Sequence, residues 1–385
     1  MTKNYTGHFV SDKIVQFQND AFQPNKLEKK LKVRLIAHYL PQFHPIPEND
    51  NWWGKGFTEW TNVASATPLF PGHYQPHIPA DLGFYDLRLP ETRAAQAKIA
   101  REYGIEGFIY WHYWFGGKRL LERPFNDMLE SGEPDYPFCV AWANTDWTGE
   151  WAGNPKQVLQ KQLYPGMEDY EAHFYTLLPA FHDKRYITVD GKSLFFILKP
   201  ESLPDPKRFT DFWRQLAFKE GLKGFYFVVY GWGHPDGAWN PESGGYDAFT
   251  YGHQSTMKSV QVFRVRLERK YRQIRGWPKH AYYYEQALPY LLFSRKFEYV
   301  EHPTVIPNWD NSPRVGKRAM ILHNSTPELF KIHLRQAIEK VRHRRLEHRI
   351  IFVKSWNEWA EGNHIEPDRK FGNAYLRVIR DEVYS

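Results

Sequence analysis

The chain has 385 residues, 51 basic and 44 acidic side chains (net charge +7), and 15 Trp, 24 Tyr and 27 Phe that together make 17% of the sequence. A single cysteine, Cys139, excludes an internal disulfide and a thiolate zinc site, and between Phe138 and Val140 it reads as a small buried hydrophobe. The positive charge gathers partly in 264–275 and 342–349, read as solvated helix faces with peripheral membrane contact as the alternative; no paired Cys/His spacing or recognition helix points to nucleic acid.

The N-terminus lacks the charged-then-apolar pattern of a signal peptide, and no apolar run approaches the length of a membrane span. The expectation is a soluble cytoplasmic protein. Residues 1–30 are polar and aperiodic and read as an N-terminal extension; residues 31–385 read as one domain. Short apolar runs then recur: 33–39, 107–111, 138–142, 194–198, 225–230, a weak sixth at 248–251, a seventh at 304–309 that contains Pro307, and 350–354. Helical patterns fall between them at 91–103, 169–181, 206–219 and 327–345. Continuous apolar strands alternating with helices predict a parallel sheet covered on its outer face, and eight such units predict an α/β fold of the (β/α)8 TIM-barrel type, a single domain with long βα loops. No glycine-rich phosphate fingerprint follows the first strand, which counts against a dinucleotide-binding fold.

In such a barrel the active site lies at the C-terminal strand ends. Those ends carry His38, Tyr39, Gln42 and His44; Trp111, His112 and Tyr113; Asn144, Asp146 and Trp147; Tyr230 and Trp232; Asn308, Trp309 and Asp310; and Trp356, Glu358, Trp359, Glu361 and Glu366. The first βα connection, about 41–90, adds Trp52, Trp53 and Trp60 and is expected to fold over the barrel mouth. Aromatic faces hold pyranose rings, and carboxylates move the protons of glycosidic cleavage. Glu358 and Glu361, three residues apart, come to one face of a helical turn, where mutual repulsion separates their pKa values into an acid and a base. The alternative for either is a cap or a salt bridge; Asp146 and Asp310 bind sugar hydroxyls or form Asx turns. The histidines lack the close spacing of a metal set, so neither a metal nor a cofactor is expected.

The segments His38-Tyr39-Leu40-Pro41-Gln42-Phe43-His44-Pro45, Trp111-His112-Tyr113-Trp114-Phe115 and Trp356-Asn357-Glu358-Trp359-Ala360-Glu361-Gly362 resemble the WbsX family. Its members are glycoside hydrolase family 99-like proteins, often described as glycosyltransferases of polysaccharide and O-antigen gene clusters. The resemblance covers roughly residues 30–380. It implies a (β/α)8 barrel distantly related to the endo-α-mannosidases of family 99, which retain configuration. By that resemblance Glu358 is the general base on the sugar 2-hydroxyl, giving a 1,2-anhydro sugar, and Glu361 is the general acid and then base. The family segment has His where this chain has Ala360. The expected activity is a retaining glycoside hydrolase on an α-linked polysaccharide or oligosaccharide. The alternatives are a glycosyltransferase of O-antigen, lipopolysaccharide or capsule biosynthesis, and a sugar-binding module without turnover.

Overall fold

The computed structural model describes residues 30–384 except 151–152, 232–239, 253–256, 259, 261–262 and 294–295. The expected N-terminal extension, but for Lys30, and Trp232 lie outside the described residues.

Eight strands form one parallel sheet: Arg34–Tyr39, Gly107–Trp114, Phe138–Trp142, Lys192–Ile197, Phe225–Tyr230, Ala248–Thr250, Thr304–Val305 and Ile350–Val353. Their spatial order is sixth, fifth, fourth, third, second, first, eighth, seventh. The first strand pairs in register with the eighth (Arg34 with Ile350) and the second (Ile36 with Gly107). The two ends of this order meet. Phe249 N–H donates to the Val300 carbonyl at 3.0 Å, His302 N–H to that of Phe249 at 2.9 Å, and the Thr250 and Thr304 hydroxyls bond at 2.6 Å. The result is the expected (β/α)8 barrel.

The strands read as unbroken apolar runs because both faces are covered. Inside the barrel the His38 ring stacks on Trp111 at 4.7 Å and meets Phe196 edge-on at 4.8 Å, and Phe196 in turn meets Phe352 and Tyr230. Outside, helices Pro90–Glu102, Met167–Phe181, Pro206–Lys219, Pro327–Val341 and Ala374–Val383 cover the sheet. The Thr326 hydroxyl caps Pro327–Val341 by accepting from Leu329 N–H, and the Asp205 carboxylate caps Pro206–Lys219 through Arg208 N–H.

Two expectations are corrected. The seventh strand stops at Val305, because Pro307 has no N–H for the ladder; Trp309–Asp310 instead pairs antiparallel with Met320–His323. That strand and His280–Tyr283 make a separate three-stranded sheet from the loops after the sixth and seventh strands, with its own core around Tyr282, Tyr284, Leu291 and Ile306. The second basic stretch is not a helix: the chain leaves Pro327–Val341 at its last buried residue and forms only a short 3₁₀ turn at Leu346–His348. The first basic stretch is the helix Phe263–Ile274. Among the described residues no helix is long and apolar enough to cross a membrane.

Candidate active site

A cleft of about 450 Å³ opens at the C-terminal ends of the strands. Leu40, Tyr113, Ala143, Leu198 and Lys354 floor it, each at or just past a strand end. Trp53 and Asn49 reach in from helix Pro47–Trp53 of the long first connection. Trp111, Trp147 and Trp309 give further aromatic faces, and Asn311, Arg314 and Met320 come from the small sheet and its turns.

Both glutamates line this cleft. Asn357–Glu358 pairs with Asn363–His364, and between them Trp359–Glu361 makes a 3₁₀ turn closed by Gly362 in the left-handed conformation (φ 51°). The Glu358 and Glu361 carboxylates point the same way, toward one guanidinium. A Cβ on Gly362 would meet Asp310 at 2.9 Å, a second reason for glycine there. One nitrogen of Arg314, Nη1, lies 3.2 Å from Glu358 Oε1 and 2.7 Å from Glu361 Oε1. The other side of the guanidinium holds the fully buried Glu59, with Nη2 3.2 Å from Oε1 and Nε donating to Oε2 at 3.2 Å. Lys354, also buried, sits 4.6 Å from the Tyr230 ring centroid and 5.8 Å from that of Trp309.

Burial, reinforced by the charge on Glu358, pushes the Glu361 carboxyl up to about 8 despite Arg314 and Lys354. Burial likewise raises Glu59, against the pull of Arg314. Burial works to lower Arg314, yet the three carboxylates hold it above its ordinary value. Lys354 is raised in the same way: burial opposes, while Tyr230, Glu358 and Glu361 prevail. The site therefore keeps a protonated acid at neutral pH beside two fixed cations.

Of the other expected residues, Gln42, Trp53, Trp111, Tyr113, Asp146, Trp147 and Trp309 line the cleft. Asp146 Oδ1 also accepts from Gln162 N–H at 2.6 Å. His38 and Tyr230 lie in the barrel interior. Tyr39 donates to Gln96 on the outer face at 2.7 Å, and His112 bonds His173 of helix Met167–Phe181 at 2.9 Å. His44 is buried away from the cleft, Trp52 packs edge-on against Trp147, and Trp60 donates its indole N–H to the Tyr85 carbonyl at 2.7 Å. Asn144 clasps the backbone of Lys199 through both amide atoms.

The two tryptophans beside the glutamates do not wall the cleft. Trp356 is fully buried and packs on Phe108; Trp359 stacks on His364 at 3.7 Å. Glu366, expected at the substrate, instead accepts 2.6 Å bonds from Trp359 Nε1 and Gln96 and a 2.8 Å bond from the Tyr85 hydroxyl beneath the turn. Burial raises its carboxyl to about 7 in spite of these bonds. Asn308 and Asp310 line a second, smaller cavity beside the turn. There Leu69 N–H donates to His73 Nδ1, so His73 Nε2 donates to Asp310 Oδ2 at 2.6 Å, joined by Gln75 at 2.7 Å. Burial would raise Asp310, but these bonds bring it below its ordinary value.

Arg314, Glu59 and Lys354 are not among the site residues expected from the sequence. Lys354 follows the eighth apolar run directly and was open to the strand-end argument; Glu59 lies in the tryptophan-rich loop. Arg314 carries no local signal, since its partners come from 44 to 255 positions away.

Barrel and cleft place the chain in the (β/α)8 class, with a glutamate pair at the C-terminal strand ends. The chain belongs to the WbsX family: the family model described as "Glycosyltransferase WbsX" matches residues 35–379. It is 36% identical over 370 residues to WxcX of Xanthomonas campestris pv. campestris, described as an uncharacterized protein, covering 94% of this chain and 51% of WxcX. The chain thus spans about half the length of the curated relatives it matches. Among solved structures it is similar to a glycoside hydrolase-like protein (TM-score 0.57, 15% identity, 93% of this chain and 96% of that one). It is equally similar to the GH99 endo-alpha-mannosidase from Bacteroides thetaiotaomicron (TM-score 0.57, 13% identity, 91% and 96%). At that identity the likeness is one of fold.

Proposed function

We propose that this chain is a retaining glycoside hydrolase acting on an α-linked polysaccharide or glycan, with Glu361 as general acid and Glu358 as general base. The observation that carries the reading is the convergence of both carboxylates on Arg314 Nη1, in one cleft walled by Trp53, Trp111, Trp147 and Trp309. A carboxyl raised to about 8 holds its proton at neutral pH, which a general acid requires. Glu361 gives that proton to the departing glycosidic oxygen. Glu358 takes the proton of the sugar 2-hydroxyl as that oxygen closes on the anomeric carbon, giving the 1,2-anhydro sugar that the family resemblance implies. Glu361, now ionised, draws a proton from water as it opens the ring, and Glu358 returns its proton to the 2-oxygen. The indole faces hold the neighbouring rings.

A second reading, transfer from a phosphate-bearing donor, is favoured by the three cations Lys258, Arg314 and Lys354 in the same cleft, and by the family's description. One experiment separates them: reducing-end release from α-mannans, rhamnans and bacterial O-antigen polysaccharides without nucleotide, beside thermal stabilisation by nucleoside diphosphates. Release supports hydrolysis. Stabilisation without release supports transfer and rejects the hydrolase.

A further inference from the structure

We propose that His77, His364 and Asp368 form a binding site for a divalent transition-metal ion, of the zinc class, immediately behind the catalytic turn. All three are buried, and one ligand atom from each lies within 4.8 Å of the others. They come from two segments that backbone pairing already fixes. Ala80 N–H donates to the Pro367 carbonyl and Arg369 N–H to that of Ile78, both at 2.9 Å, which brings His77 beside Asp368 without help from an ion.

The imidazole geometry is that of a ligand pair. His77 Nδ1 and His364 Nε2 face each other at 2.9 Å. Two nitrogens each about 2.1 Å from a tetrahedral zinc lie about 3.4 Å apart, so the two rings need part by only about half an ångström to admit the ion. The other nitrogen of His364, Nδ1, donates to the Glu366 backbone carbonyl at 3.3 Å, which leaves the Nε2 lone pair facing His77. A backbone carbonyl that fixes the tautomer and aims the ligating nitrogen is the usual outer partner of a metal-bound histidine. Without an ion, His77 Nδ1–H donates to His364 Nε2. With one, His77 takes its other neutral tautomer and both lone pairs turn to the metal. Asp368 is placed by Phe371 N–H, which donates to Oδ1 at 2.6 Å.

The cavity of about 40 Å³ that His77 and Asp368 line leaves space for further ligands, since a water needs only about 10–15 Å³ on the same measure. Two imidazoles and a carboxylate suit zinc, cobalt, iron or manganese, whereas calcium and magnesium prefer all-oxygen shells. Because Trp359 stacks on His364 at 3.7 Å, an ion here braces the turn that carries Glu358 and Glu361 against the first loop.

The test uses the full chain without a histidine tag, stripped with chelator and titrated with zinc, cobalt, calcium or magnesium chloride. Zinc and cobalt are expected to raise the melting temperature by a few degrees at 100-fold excess over Kd, with calcium and magnesium inert, and cobalt to give visible d–d absorption at one ion per chain. His77→Gln and Asp368→Asn are each expected to weaken cobalt binding at least tenfold. Absence of cobalt absorption and of any zinc shift in the unmodified chain overturns the proposal whatever the folding of the variants. So does a zinc shift that both variants retain in full.

Discussion

Glu361 and Arg314 hold opposite ends of one electrostatic arrangement, and each makes a prediction. The Glu361 carboxyl is raised from 4.5 to about 8, so through that window the folded chain keeps a proton that the unfolded chain has released. Stability from this group is therefore full below pH 4.5 and lost as pH rises through 8. Glu361→Gln should gain stability relative to the parent as pH climbs from 5 to 8, read from denaturation midpoints, while kcat falls about 1,000-fold. In the parent, the rate should fall as pH rises through about 8, where the acid loses its proton. Arg314→Ala leaves Glu59, Glu358 and Glu361 facing one another in a buried site. It should cost about 3–5 kcal/mol at pH 7, where Glu361 already carries its proton, and less at pH 4.5, where Glu59 gains one as well. Equal losses at both pH values would contradict the role given to Arg314.

At the scale of elements, the turn Trp359–Glu361 is built on a buried polar seat. Trp359→Phe removes one of the three bonds to Glu366 and should cost about 1–3 kcal/mol, checked by denaturant unfolding. How much of this was legible in the sequence divides along the same line. The eight strands and the mouth at their C-terminal ends were legible, because an apolar run bounded by polar residues is a local pattern. So were both glutamates, which sit a few positions past such a run. Which way Trp356 and Trp359 face was not: a tryptophan suits a sugar platform or a core equally well, and only Phe108, His364 and Glu366, brought up from other segments, decide it. Arg314 was invisible for the same reason. The small sheet was missed because its strands of two to four residues are too short to carry a period.

For the whole molecule, the barrel holds the strand ends in a ring while the long loops supply what the ring lacks. The first connection brings Trp53 and Glu59, and the loop after the seventh strand brings Trp309 and Arg314. Closure between the sixth and seventh strands rests on few bonds, the Thr250–Thr304 hydroxyl pair among them. Thr304→Val leaves the Thr250 hydroxyl buried without that partner and should cost about 1–3 kcal/mol; adding Thr250→Val should recover much of it, a coupling that a double-mutant cycle measures. The proposed function gives glycosyl chemistry to the partly buried Glu358–Glu361 pair at the barrel mouth. Reducing-end release from α-linked polysaccharides by the parent chain, Glu358→Gln and Glu361→Gln tests it most directly. Release by the parent and its loss in both variants, each still folded, is the expected result. Release that survives either substitution would contradict it.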